Sequence, residues 1–277
     1  MIVGVLLAGL TLVLHQAPDA QCYTVDEMVR YLGWNVPTKL PKNHAADLLK
    51  QADVLLAQCP DSEGTWYGVL RAHELESQEH QAPRTLAATA RQRFPGSVRI
   101  ATVYARAVGT LDAAQEAVRL DPRYAPAQVA YASALLAAGK PEQARVVLEA
   151  VSDLKHVSGG PTLLAKALLA TGHPNETLKA SKDEPVSELG LIEPISGHPG
   201  ALAESVEISG MAYLAKRDFD QAARRLLTAA ALGHIRAREM LETADGALLQ
   251  ALIRLSKARL PTDEKAVLSE SLKHRQH

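Results

Sequence analysis

Aromatic residues are scarce in this chain. Phe, Trp and Tyr together make up 4% of its 277 residues, although 47% are hydrophobic. The apolar content is therefore mostly Ala, Leu and Val, and the period-two clusters of Val, Ile, Thr and aromatics that mark strands are missing. Charge of one sign is missing too: 30 basic side chains face 31 acidic ones, with no long run of either. That leaves no footprint for nucleic acid or anionic membrane, both of which need concentrated positive charge. Two cysteines are too few for a zinc-spaced set, and there is no Gly-rich phosphate loop and no Gly-x-Ser-x-Gly elbow. What remains is a chain rich in Ala and Leu. Both are strong helix formers, and alanine lets helices approach closely.

Long hydrophobic runs are also absent, with one exception at the start. Ile2 to Leu14 is almost wholly apolar, and the small residues around Ala17 to Ala20 follow it. Such a run is short for a membrane span, which needs about 20 residues, and fits the core of a signal peptide. Residues 1–20 are therefore expected to be a signal peptide, and the chain to be exported to a periplasmic or extracellular space. The segment departs from the usual pattern in having no Lys or Arg before the apolar core. A buried N-terminal helix and an uncleaved anchor are the other two readings, and only the anchor would make the membrane a partner. Export bears on Cys22 and Cys59, because an even pair in an oxidising compartment permits one disulfide. Closing that loop would stabilise by about 3–4 kcal/mol; free thiols are the alternative. No neighbouring His or basic residue favours a catalytic thiolate.

Self-similarity organises the rest. Tyr131 to Ala144 aligns 33 residues later with Leu164 to Thr177, and seven of the 14 positions are identical, including Gly139 with Gly172 and Pro141 with Pro174. A fixed period near 34 marks a stacked helix–turn–helix array. Gly139 can take the left-handed conformation that closes a first helix, and Pro141 sits in the first turn of the next. Ala144, Val147, Leu148 and Val151 then recur at three- and four-residue spacing and give the second helix one apolar face. A single pair cannot bury both its faces, so neighbouring pairs must stack. Helices are further expected over 43–57, 63–79 and 84–94, a pair over 98–120 turning at Gly109, and one long helical pattern over 234–257. Lys182 to Pro199 holds three prolines and no helical stripe.

These residues resemble the tetratricopeptide-repeat pattern. Gly210, Tyr213, Ala222, Leu226 and Ala229 match it well; Tyr131, Ala132, Leu135, Ala144 and Leu148 match it moderately. In the unit between them Ala165 and Leu168 fit, while Thr177 and Ser181 replace the expected small and large residues. The junction over 229–237 also resembles Sel1-like repeats. The resemblance implies an all-α fold, a right-handed α-solenoid of stacked antiparallel helix pairs. The expected organisation is degenerate repeats over 21–96, repeats over 97–182, an insertion over 183–198, a repeat with a capping helix over 199–257, and a tail over 258–277.

The resemblance also implies a function: a scaffold or adaptor that holds proteins or peptides in a concave groove lined by the first helices. The groove positions carried over are Arg99, Thr102, Arg106, Val129, Ser133, Lys166, Glu207 and Met211, together with Leu136, Thr162, Leu169 and Leu214. The leucines fit stacking core at least as well, and Arg99, Arg106 and Lys166 fit solvated charges. The paired Lys and Asn with which chaperone-tail binders of the family hold a carboxylate are absent. No catalytic residue, metal ligand or cofactor is expected. His73, Glu76 and His80 share a helical spacing, but a solvated polar face explains them more simply than metal ligation. A membrane-anchored periplasmic or lumenal assembly arm and a carbohydrate-handling enzyme on a helical scaffold are the alternatives.

Overall fold

The structure, a computed structural model, describes residues 22–24, 26–27, 44–76, 82–157, 159–181 and 199–273. The expected signal peptide, the 183–198 insertion and His80 lie outside the described residues. Within them the protein is all-helical, with no strand. The helices are α1 (His44–Lys50), α2 (Ala52–Gln58), α3 (Glu63–Glu76), α4 (Arg84–Arg93), α5 (Val98–Val108), α6 (Leu111–Leu120), α7 (Ala125–Ala137), α8 (Pro141–Glu149), α9 (Gly160–Ala170), α10 (Pro174–Ala180), α11 (Pro199–Ala215), α12 (Phe219–Ala231), α13 (Ile235–Glu242), α14 (Gly246–Leu255) and α15 (Thr262–Lys273), with a short 3-10 turn at Leu154–His156.

Local chemistry sets these boundaries. Ser97, Thr110 and Asp218 each accept a hydrogen bond from the backbone N–H three residues on, which satisfies an otherwise orphaned donor at the start of α5, α6 and α12. Prolines occupy the first turn of α7, α8, α9 and α10, where a missing N–H costs nothing. Four helix ends close in the same way. At Gly139, Gly172, Arg217 and Gly233 the φ angle is 70°, 81°, 59° and 91°. At each, the left-handed residue and its successor donate to carbonyls three and five residues back, as in Gly139 N to Leu136 O and Lys140 N to Leu135 O. This is the Schellman closure. Gly139, Gly172 and Arg217 thus occupy equivalent bends, and Arg217 does so with a side chain that the left-handed region disfavours.

Two expected helices are each divided. The 43–57 segment breaks at Gln51, which separates α1 from α2. The 234–257 pattern breaks at Thr243–Asp245, where Asp245 is extended and Gly246 begins α14 with φ 47°. An apolar stripe persists across both breaks, which is why periodicity alone reads through them.

Packing joins elements close in sequence. α1, α3, α5, α7, α9 and α11 touch one another in succession; α6, α8 and α10 each contact the row helices on either side, and α12 packs on α11, α13, α14 and α15. Small residues make the close approaches possible. Ala132, Ala144 and Ala167 are fully buried between α7, α8 and α9, as are Ala222, Ala223 and Ala229 in α12. Gly210 of α11 faces Leu226 of α12 so closely that a Cβ there would lie 2.9 Å from Leu226 Cγ.

The first described residues form a strap across α3. Cys22 is disulfide-bonded to Cys59, with 5.5 Å between their Cα atoms. Ser62 donates its hydroxyl to the Tyr23 carbonyl (2.7 Å), Tyr23 N–H donates to Thr65 Oγ1 (3.2 Å), and Thr65 donates its hydroxyl to Ser62 Oγ (3.0 Å). Gly64 has no side chain where one would strike the strap backbone, 2.2 Å from Tyr23 O.

Candidate binding surface

The expected groove positions divide by burial. Thr102 is 1% exposed and donates its hydroxyl to the Val98 carbonyl; Val129 packs in the α7–α9 core. Both are corrections to the expected list. A position facing the next helix of the row is covered by that helix and has no surface to offer a partner. Thr162 is likewise buried. Leu136, Leu169 and Leu214 are half-buried against neighbouring clusters, as stacking side chains would be. Four expected positions reach the surface, one from each of four successive row helices: Arg99 on α5, Ser133 on α7, Lys166 on α9 and Met211 on α11. Ser133 is exposed and the other three are half-buried.

Arg106 is tied inward. Its Nε and Nη2 donate to the two oxygens of Glu74 at 2.7 and 2.9 Å, a two-pronged guanidinium–carboxylate pair between α5 and α3. Arg71 Nη1 donates to the same carboxylate from one helical turn away. Burial by itself would raise the Glu74 carboxyl, but the guanidiniums of Arg106 and Arg71 more than reverse this and hold it below the usual carboxylate range. Burial works against the Arg71 cation, with repulsion from Arg106 in the same direction, and its pKa is lowered. Beside them Tyr124 is pushed up, first by burial and then by the adjacent Tyr67. The Arg99 guanidinium carbon stands 6.0 Å from the Tyr124 ring centre, a cation–π distance. Arg106 is thus a structural cation more than a presented one.

Glu74 is not among the positions the sequence singled out. Its i+3 relation to Arg71 is legible, but Arg106 follows 32 residues after Glu74, close to one repeat, and only stacking brings the two together. Lys166 pairs with Glu204 of α11, both about two-fifths exposed. Glu207, expected to face the groove, is 3% exposed. Its nearest cation is Arg236 on α13, 3.5 Å away and two-thirds exposed. Trp66 is 6% exposed. It donates its indole N–H to the Pro60 carbonyl (2.9 Å) and meets Phe94 edge-on, so it pins α3 to α4.

Among the described residues no group of three or more His, Cys, Asp or Glu side chains is placed to hold a metal ion. No helix among them is long and apolar enough to cross a membrane. No protein-family model matches this chain, and no curated protein matches it.

Proposed function

We propose that this chain is an exported, non-enzymatic scaffold of the tetratricopeptide-like kind, a right-handed solenoid of antiparallel helix pairs that holds a protein or peptide partner along its row helices. The observation that carries this reading is the row itself. Four consecutive row helices each present one accessible position, and the bends behind them repeat the same closure at Gly139, Gly172 and Arg217. A partner laid along such a row touches several units in turn, and its binding area is spread with no need for a deep pocket. The Cys22–Cys59 bond supports export, because disulfides persist in oxidising compartments.

The test is site-specific photocrosslinking in the native compartment. A photoreactive residue at Ser133 or Met211 should trap one common partner, while the same residue at Arg119, 70% exposed on α6, should trap none. Trapping from Arg119 as efficiently as from Ser133 would remove the row from the argument. N-terminal sequencing of the exported chain tests the leader: a start near Gln21 is expected, and an intact Met1 favours the anchored arm.

A further inference from the structure

Three units use the same two positions of their second helix differently. Ala144 and Leu148 of α8, and Ala222 and Leu226 of α12, are apolar and fully buried. The equivalent positions of α10 hold Thr177 and Ser181. Where α10 meets α11 the packing is accordingly polar. Ser209 donates its hydroxyl to Ser181 Oγ (2.9 Å), and Ser205 donates to the Ser181 carbonyl (3.3 Å). The apolar part of this joint is Ala165, Leu168, Ala180 and Ile208, a smaller cluster than those on either side of it, over α7–α9 and over α11–α15. Lys166 of α9 and Glu204 of α11 add an ion pair with both side chains about two-fifths exposed.

Two properties of these contacts bear on motion. A hydroxyl bond exchanges for water at little net cost, whereas parting a buried leucine from its neighbours exposes apolar surface. Three of the hydroxyls also have an acceptor within their own helix: Thr177 donates to His173 O (2.9 Å), Ser209 Oγ is 3.1 Å from Ser205 O, and Ser181 Oγ is 3.3 Å from Leu178 O. Separating α10 from α11 strands none of those three donors. In a stacked array each unit touches only its neighbours, so bending concentrates where the contacts exchange most readily for water. We infer that the array flexes where α11 meets α9 and α10, with α7–α10 and α11–α15 moving as two bodies. The joint then sets the separation of Lys166 on α9 from Met211 on α11, and one chain fits partners of more than one length. That use of the motion rests on the row helices being the binding face; the motion itself does not.

Pulsed dipolar spectroscopy on the full oxidised chain, with nitroxide labels on paired cysteines, tests the joint. Gln143→Cys on α8 with Arg224→Cys on α12 spans it. Gln92→Cys on α4 with Gln143→Cys spans two pairs without it, and all three positions are exposed. The first distance distribution should be the broader. Ser181→Leu restores the residue of the neighbouring units and should narrow that distribution to the width of the second. Ser205→Ala with Ser209→Ala removes the bonds across the joint and should widen it. Neither change should alter the Gln92–Gln143 distribution. Equal widths for the two pairs in the chain with its native joint would overturn the inference, and that comparison decides the matter even where Ser181→Leu does not fold. An unchanged width in the double-alanine chain or in a folded Ser181→Leu chain, or equal broadening of both pairs, would overturn it as well. Crosslinking from Ser133 and Met211 tests the binding face separately: if it fails while the widths differ, the flexing stands and only its use by a partner falls.

Discussion

The two ends of the molecule hold together by different means. From α1 to α6 the contacts are specific and long-range: a disulfide, a ring of hydroxyl and backbone bonds around Tyr23, a carboxylate gripped by two guanidiniums, and a tryptophan tied to a carbonyl. From α11 to α15 one continuous apolar cluster built on Ala222, Leu226, Leu227, Leu241 and Leu252 dominates, with polar contacts such as Arg254–Asp220 and Thr228–Glu264 at its edge. From α1 to α6 the apolar clusters are smaller, and individual polar and covalent contacts add to them.

The largest expected effects are therefore local to the first half. Glu74→Gln leaves two partly buried cations without their carboxylate and should destabilise by about 3 kcal/mol. Both tryptophans, Trp34 and Trp66, precede α4 in the sequence. Urea unfolding followed by tryptophan fluorescence should shift strongly, while hydrogen exchange over α12–α14 stays unchanged; an equal loss in both halves would erase the comparison. The same carboxylate sets a pH dependence. Its folded pKa lies below the ordinary value, so its stabilisation is full above the unfolded pKa and is lost as pH falls through the folded one. The fluorescence transition should therefore weaken only below about pH 4, and Glu74→Gln should flatten that dependence.

Cys22→Ser with Cys59→Ser should act on the same scale, at about 3–4 kcal/mol by the loop-entropy relation. Its mark is faster hydrogen exchange in α1–α3 alone. Leu226→Ala, at about 3 kcal/mol, should do the reverse, with circular dichroism showing an early loss of helix and the tryptophan signal unmoved. The smallest change is a gain. Arg217→Gly relieves a left-handed arginine and should stabilise by about 1 kcal/mol, raising the thermal midpoint; a lower midpoint would mean that the arginine side chain contributes more than its backbone costs.

The all-helical class was legible from alanine and leucine content, and the bends at Gly139 and Gly172 from a glycine followed two residues later by proline. The bend at Arg217 was legible only by alignment, since nothing in arginine itself favours a left-handed backbone. The candidate surface was half legible. Period finds which helix a residue is on, so Ser133 and Met211 could be placed. It does not reveal how far the next helix overlaps, which is what buries Thr102 and Val129. Glu74 with Arg106, and Glu207 with Arg236, are side-chain meetings across 32 and 29 positions. They depend on how units stack, and no local pattern carries that.

The strap over Gly64 has a consequence for the order in which the protein comes into being. Its residues leave the ribosome early, yet Cys59, Ser62 and Thr65 must all exist before Cys22 and Tyr23 have anything to dock against. The front of a nascent chain is thus left undocked during synthesis, and the clasp that finishes this end is fastened only after the helix beneath it has been made.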